Sequence, residues 1–328
     1  MITLGCAQPE PGVDFRDARL AVVDMHLHQG EWQGVPGSTQ EFLASRFPFP
    51  FNLNPEQTAS GILSAEGVVA ELDAAGISRG VLLAVYAPRS VGVATNEDMV
   101  EQVAVAPDRL WGLASLRVDD WSAGGEAQLA QLDEMVQAPG VVGVKLAHTH
   151  MHFRMDDPRY FGIYEVAGLR QKPVYLHTGP SPFPGTNAEP PYTDPAFLEA
   201  AIAAYPETIF ILGHVGYDFI NKQLGYFETC VTLAQKYPNV YLEPSALGSE
   251  GSDPTGEHLP HIMGRIREAG LVERTIYGSD GPQSPGFVGD YLARTTAAME
   301  STGYTVEEAR AVLSGNFARV FQVEEPTL

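Results

Sequence analysis

The chain has 328 residues, 44% hydrophobic and 19% charged, a balance that suits one large globular core or two modest ones. Its 20 basic and 41 acidic residues leave a formal net charge of −21, and no basic stretch exists to neutralise phosphates, which argues against a nucleic-acid partner. No run approaches the roughly 18 apolar residues of a membrane span, so a soluble protein with no membrane partner is expected.

The opening "MITLGCAQPEPG" ends its first half in a faint lipobox-like "TLGC" but has no basic n-region and no apolar core. Residues 1–19 therefore read as a short N-terminal arm. The two cysteines, Cys6 and Cys230, lack metal-like spacing and are too few for a disulfide framework, so a reducing, cytoplasmic compartment is the expectation.

The first strand candidate, "LAVVDMHLH" (20–28), is an apolar run with Asp24, His26 and His28 on alternate positions. In an extended strand these three share a face, and if that face is interior they need partners. A long stretch rich in aromatics and proline follows, "EWQGVPGSTQEFLASRFPFPFNLNPEQT". Three further strand candidates are "RGVLLAVY" (79–86), "RLWGLASL" (109–116) and "VVGVKLAH" (141–148), separated by amphipathic segments such as "SAEGVVAELDAAG" and "GGEAQLAQLDEMVQA". "PVYLHTG" (173–179) opens a second long loop, "HTGPSPFPGTNAEPPYTDP". Then come "TIFILGHVG" (208–216), "NVYLEPS" (239–245) and "RTIYGSD" (274–280), with helical candidates between them. Eight strand–helix units at intervals of about 30 to 35 residues predict an α/β fold, a (β/α)₈ TIM barrel, with long loops after strands 1 and 5. Doubly wound sheets share the alternation, but the count of eight favours the barrel. With no linker or repeat array, residues 1–328 read as one domain. Both long loops fall on the C-terminal face, where they wall a pocket, act as lids, or merely decorate the surface.

Polar residues recur at the C-terminal ends of these strands: His26 and His28, Lys145, His177, His214 and Asp280. A parallel barrel brings all of these ends to one rim, so the set predicts a metal site.

"DMHLH", "VYLHTG", "LGHVG", "YGSDGP" and "LSGNFARVF" resemble the amidohydrolase superfamily, over about residues 20 to 323. The likeness is to the amidohydrolase-related branch, which includes aminocarboxymuconate-semialdehyde decarboxylase, related decarboxylases, metal-dependent lactonases and hydrolases. The resemblance implies one divalent ion, usually zinc, held by His26, His28, His177 and Asp280. It also implies that His214 is the acid/base that positions the activated water. Three neutral imidazoles and one carboxylate leave a Zn²⁺ site net positive, which favours an ionised water near neutral pH. The absence of thiolates disfavours Cu(I) and iron–sulfur clusters, while Mn²⁺ or Fe²⁺ stays open. Asp280 is also expected to accept the water's proton and pass it to a leaving group.

Lys145 carries a second alternative. In the two-metal branches a lysine at the end of strand 4 is carboxylated and bridges two ions, with His177 and His214 on the second; one ion is the main expectation here. Otherwise Lys145 forms an ion pair in the barrel or binds an anionic substrate group.

His148, His150 and His152 stand two apart, on the face opposite Lys145 if the strand continues. They read as surface or loop residues ahead of pocket lining, and Arg154 is unassigned. Asp24 is expected one layer below His26, as a hydrogen-bond partner or a purely structural residue. Glu243 and Ser245 are candidates for substrate contact, and "GNFARVF" for packing alone.

The leading function is a metal-dependent hydrolase whose activated water attacks an amide, ester or lactone carbonyl of a small molecule. The alternatives are a metal-dependent nonoxidative decarboxylase of an unsaturated or aromatic acid, and a non-catalytic binding barrel. A homodimer is expected by analogy with relatives.

Overall fold

The computed structural model describes residues 11–328. Residues 1–10, with Cys6 and the "TLGC" run, lie outside the described residues. The remainder of the predicted arm is ordered: Val13–Phe15 and Ala18–Leu20 form an antiparallel hairpin, and Phe15 is fully buried.

Seven parallel strands make the central sheet: β1 (Val23–His28), β2 (Arg79–Leu83), β3 (Leu110–Ala114), β4 (Val141–Leu146), β5 (Val174–His177), β6 (Phe210–Gly213) and β7 (Val240–Glu243). Each pairs with its neighbours in sequence, as chained β–α units dictate. Nearly every strand residue is buried, which is why these segments read as continuous apolar runs. Helices α1 (Ala65–Ala75), α2 (Asn96–Val105), α3 (Glu126–Met135), α4 (Gly162–Leu169), α5 (Glu199–Ala204), α6 (Phe227–Lys236), α7 (His258–Glu268) and α8 (Phe287–Ser301) follow the strands in turn. Local chemistry sets their ends. The Ser64 hydroxyl accepts from Gly67 N to start α1, and Gly76, at φ +70°, ends it. A Thr95/Asp98 capping box starts α2.

The eighth predicted strand departs from expectation. Residues 274–280 close the barrel without forming a regular strand, through single bridges from Leu27 to Gly281 and from Leu242 to Thr275. Met25 N donates to Tyr277 O (3.2 Å), Asp280 N to His26 O (3.0 Å) and Ile276 N to Leu242 O (2.9 Å). The ladder is interrupted because Ser279 N is taken by the Asp24 carboxylate (2.9 Å) and Tyr277 N by Val312 O (3.0 Å).

A second departure lies in β1. An extra residue between Asp24 and Leu27, relative to Gly80 and Leu82 on β2, makes a β-bulge. Val23 and Met25 pack inside the barrel with Val81 and Leu83, whereas Leu27 packs outward with Leu82. Strict alternation fails, and Asp24 does not sit in one row with His26 and His28. Its carboxylate instead accepts from the backbone N–H of His26 (3.1 Å) and Ser279, clamping β1 to the eighth segment.

The closing helix Asn316–Phe321 belongs to the "GNFARVF" motif and plugs the end of the barrel away from the strand C-termini. Phe317 stacks on Trp111 (5.4 Å) and on Phe321 (4.3 Å), inside the cluster that holds Val23, Ile211 and Tyr241. Burying each such ring contributes about 1.5–3 kcal/mol. Among the described residues no helix is long and apolar enough to cross a membrane.

Candidate metal centre

His26 and His28 leave the end of β1, and Asp280 sits where the eighth segment turns at φ +68°. His26 Nε2 and His28 Nε2 each lie 2.9 Å from Asp280 Oδ1, and His214 Nε2 lies 4.0 Å from it. His214 and Val215 follow β6 at φ +58° and +45°, a left-handed turn that non-glycine residues seldom adopt outside functional sites. Candidate ligand atoms of His26, His214 and Asp280 all fall within 4.8 Å of one another. His177, at the end of β5, stands beside this trio with its ring centroid 4.3 Å from that of His214. The six residues predicted at the rim thus gather at one place. The trio whose ligand atoms gather within 4.8 Å contains His214 where the resemblance implied His177.

Burial holds these imidazoles neutral: His26 down at about 3, with Lys145 adding to the effect, and His214 at about 4, with Asp280 opposing. His177 is pushed well below the ordinary value, by burial first and then by His214 and His150. Burial raises Asp280, but His26 and His214 beside it, with hydrogen bonds from His26 and His28, hold its carboxyl well below the usual range. Neutral imidazoles and an ionised carboxylate are the donor states a divalent ion requires. Donors at about 2.0–2.2 Å from one ion lie at most about 4.4 Å apart, and the separations from Asp280 Oδ1 meet that limit. His177 Nε2 supplies an independent test of fit. It is buried with no hydrogen-bond partner among the described residues, a costly state that a coordinated ion would relieve. The residues present fit a metal ion.

Behind the centre lies a polar floor that sequence reasoning missed in part. Tyr175 Oη is 3.0 Å from His26 Nδ1 and donates to Glu243 Oε2 (3.3 Å). Ser245 Oγ is 2.9 Å from His214 Nδ1 and donates to Glu243 Oε2 (2.9 Å). Glu243 and Ser245, expected to touch substrate, face the ligands from below and are fully buried. Burial pushes Glu243 up to about 8, against His214 and the hydrogen bond from Ser245. Tyr175 was findable: it sits two residues before His177 and so shares its face. Gln283, which donates to the Asp280 carboxylate, gave no periodic signal.

Lys145 is buried, with Nζ 3.5 Å from His26 Nε2 and 4.1 Å from the centre of the Tyr175 ring, and has no ion pair among the described residues. Burial lowers it to about 8, against the pull of Asp280 and Glu243.

The "HTHMH" run overturns the expectation of surface histidines. β4 ends at Leu146, its last pair with β5, and beyond the rim His148–Met151 closes into a helical turn. His148 and His150 are buried; His150 lines the cavity, 5.0 Å from the His177 ring, with Nδ1 3.1 Å from Ser90 Oγ. Arg154 is spent on Asp156 (2.7 Å), away from the cavity.

The centre opens into a cavity of about 770 Å³. Phe42 and Phe47 from the loop after β1, and Phe183 from the loop after β5, wall it, and Phe42 meets Phe183 at 5.0 Å. Both long loops therefore build the pocket.

Comparison with known proteins bears on the fold and the family. An uncharacterized TIM-barrel protein of Bordetella bronchiseptica has a similar structure, with TM-score 0.68 and 20% identity, over 92% of this chain and 99% of that one. A dihydroxybenzoic acid decarboxylase of Polaromonas, with bound manganese and the inhibitor 2-nitroresorcinol, gives TM-score 0.64 and 18% identity over 92% and 97%. A probable 2-pyrone-4,6-dicarboxylic acid hydrolase of Acinetobacter baumannii, with citric acid bound, gives 0.62 and 17% over 92% and 100%. These likenesses establish a TIM-barrel α/β fold. Among curated proteins, fluG of Emericella nidulans is 28% identical over 174 residues, 47% of this chain but only 18% of that protein's length. The amidohydrolase family model matches residues 23–323, nearly the whole barrel, and the chain is therefore an enzyme of the metal-dependent amidohydrolase family.

Proposed function

We propose that this enzyme is a hydrolase acting on an amide, ester or lactone carbonyl of a small molecule. The observation that carries the reading is one ionised carboxylate, Asp280, beside the imidazoles of His26, His177 and His214, which burial holds neutral, at the floor of a 770 Å³ cavity. His26, His28, His177 and Asp280 would hold a single divalent ion, zinc first and manganese or iron next. When bound, such an ion supplies Lewis acidity that activates water and polarises a carbonyl. His214 Nε2 is neutral at pH 7 and faces the centre, so it can orient an attacking oxygen by accepting its proton. Asp280 is the group placed to carry that proton to the departing oxygen or nitrogen. Phe42, Phe47 and Phe183 give the cavity an apolar wall against which a substrate can pack.

A second reading, nonoxidative decarboxylation of an aromatic or unsaturated acid, is favoured by cations that sequence reasoning did not pick out. Arg46 and Arg294 line the cavity, and Arg294 Nη1 is shielded from solvent with no hydrogen-bond partner among the described residues. A substrate carboxylate would supply one.

Reaction in H₂¹⁸O separates the two. Hydrolysis places ¹⁸O in product without release of CO₂; stoichiometric CO₂ with unlabelled product would replace the hydrolase reading by the decarboxylase one. Asp280→Asn is expected to retain metal while kcat falls by about 10²-fold or more. Full turnover in that variant would remove Asp280 from the proton path.

A further inference from the structure

We propose that His150 is a substrate-binding residue, whose Nε2 hydrogen-bonds a polar atom of the acyl group held at the centre. The inference rests on the reading of the centre as a metal site that takes a carbonyl compound. It adds a contact that neither the ligand set nor the proton path uses.

The turn after β4 separates three histidines that an extended strand would align. In a helical turn, residues two apart point about 200° from one another. His148 and His150 therefore leave His148–Met151 on opposite sides. His148 enters the core against Phe153, with ring centres 4.2 Å apart. His152, at φ +60°, turns away and meets Gly185 O through Nε2 (2.6 Å). Of the three, His150 is the one that lines the cavity.

The surroundings of the His150 ring hold it in one orientation. Nδ1 lies 3.1 Å from Ser90 Oγ. Ser90 is itself fixed, because its N–H donates to Ala87 O (3.0 Å) and its carbonyl accepts from the Thr39 hydroxyl (2.6 Å). The His177 ring meets the imidazole edge-on, at 5.0 Å and 84°, and Phe183 lies 5.9 Å away. The turn is pinned to the loop after β5: Asn187 N donates to Thr149 O (2.9 Å), and Thr149 Oγ1 donates to Asn187 O (2.8 Å).

Nε2 is the one polar atom of the side chain left over. It has no hydrogen-bond partner among the described residues, and it is not one of the side-chain atoms sealed from solvent, so it opens to the cavity. The residue as a whole is only 6% exposed. A ligand that displaced water from this nitrogen without replacing its hydrogen bond would bind at a cost, so the site selects for a molecule that supplies a partner there. Whatever binds beside His177 comes alongside His150, with Phe42 and Phe183 as its apolar wall.

Benzohydroxamate is a suitable probe: a metal-chelating, planar acyl compound that carries both a donor and an acceptor, and so answers Nε2 in either tautomer. The full-length, zinc-loaded protein is titrated with it by calorimetry, and wild type is expected to bind. In His150→Gln the side-chain amide reaches the place of Nε2, whereas in His150→Asn it reaches only the place of Nδ1, beside Ser90. His150→Asn should bind the probe about tenfold more weakly, and His150→Gln within about threefold of wild type, with zinc affinity held within about twofold in both. A role confined to bonding Ser90 predicts the reverse order. Wild type offers a second measurement. Diethyl pyrocarbonate, which acylates accessible imidazole nitrogen, should modify His150 but not His148, and saturating benzohydroxamate should protect His150 while exposed His261 still reacts. Equal probe affinity in wild type and His150→Asn would overturn the proposal, as would a loss of zinc that matches the loss of affinity. If the variants do not fold, judged by near-ultraviolet circular dichroism, the acylation pattern decides, and a His150 that is unmodified or unprotected overturns it. Zinc-loaded wild type that binds no benzohydroxamate overturns it too but leaves the metal centre standing. Protein that takes up no zinc removes the metal-centre reading, and this inference with it.

Discussion

His148 shows what a buried imidazole costs when nothing relieves it. The ring is fully buried, 4.2 Å from the Phe153 ring, with Nε2 3.4 Å from Tyr164 Oη and Nδ1 without a hydrogen-bond partner among the described residues. Burial alone lowers its pKa to about 3 from an ordinary 6.5. Between those values the unfolded chain binds a proton that the folded chain refuses. Stability is therefore intact above 6.5 and falls as pH drops below it, by about 1.4 kcal/mol per pH unit for this one group. His148→Phe keeps an aromatic ring against Phe153 and removes the titration. Urea unfolding of the metal-free protein at pH 6.5 and pH 5.5 should show the variant losing about 1 kcal/mol less than wild type over that step. Equal losses would mean that His148 is protonated, or already relieved, in the fold. The site histidines differ in that their exposed or orphaned nitrogens face one another and Asp280, so their burial has a purpose that His148 lacks.

At the scale of elements, the eighth segment carries the tightest geometric demand. An alanine methyl at Gly278 would meet the Glu243 carboxylate and the His26 Cβ, neither of which can retreat from a closed barrel. Gly278→Ala should lower unfolding free energy by about 1–3 kcal/mol, the usual cost of overpacking. Gly37→Ala, where nothing lies within 4 Å of the added atom, should change it by no more than about 0.5 kcal/mol. Similar values for both in denaturant melts would show that the segment is looser than its contacts suggest. This same segment is the least regular of the eight, and its geometry is not written in the apolar pattern of its residues. The seven regular strands were legible because each is buried on both faces, and His26, His28, His177 and Asp280 were legible because parallel strands end on one rim. The bulge in β1 was not legible, since one extra residue leaves no trace in a run of apolar and polar alternation, and so Asp24 was misplaced. The turn at His148 was hidden for a related reason: a strand stops when it runs out of partners, and partner lengths are a property of the closed sheet. Glu243 and Ser245 were legible as candidates but not their place beneath the ligands, because the contacts of Tyr175, Glu243 and Ser245 depend on several strands at once.

Across the whole molecule the barrel has one weak seam, and the candidate centre spans it. Between β7 and β1 the chain is joined by isolated bridges and a handful of bonds, whereas β2 and β3 share a regular parallel ladder. His26 and His28 stand on one side of the seam and Asp280 on the other. A ligand that binds only the folded state adds about 2.7 kcal/mol of stability at a hundredfold excess over its Kd. When that ligand joins His26, His28 and Asp280, it resists separation of β1 from the eighth segment before it resists anything else. Opening of a fold is local, so its benefit should be local as well. Removing metal with a chelator should therefore speed amide exchange at Met25, Ile276 and Asp280, whose N–H groups cross the seam, by about tenfold or more. Amides of the β2–β3 ladder, such as Val81 and Leu83, should change by less than about threefold, because no proposed ligand lies on either strand. Uniform acceleration across the barrel would show that the ion stabilises the fold as a whole. No acceleration at all, in protein shown to have lost its metal, would mean that the seam is held by Asp24 and its backbone clamp alone.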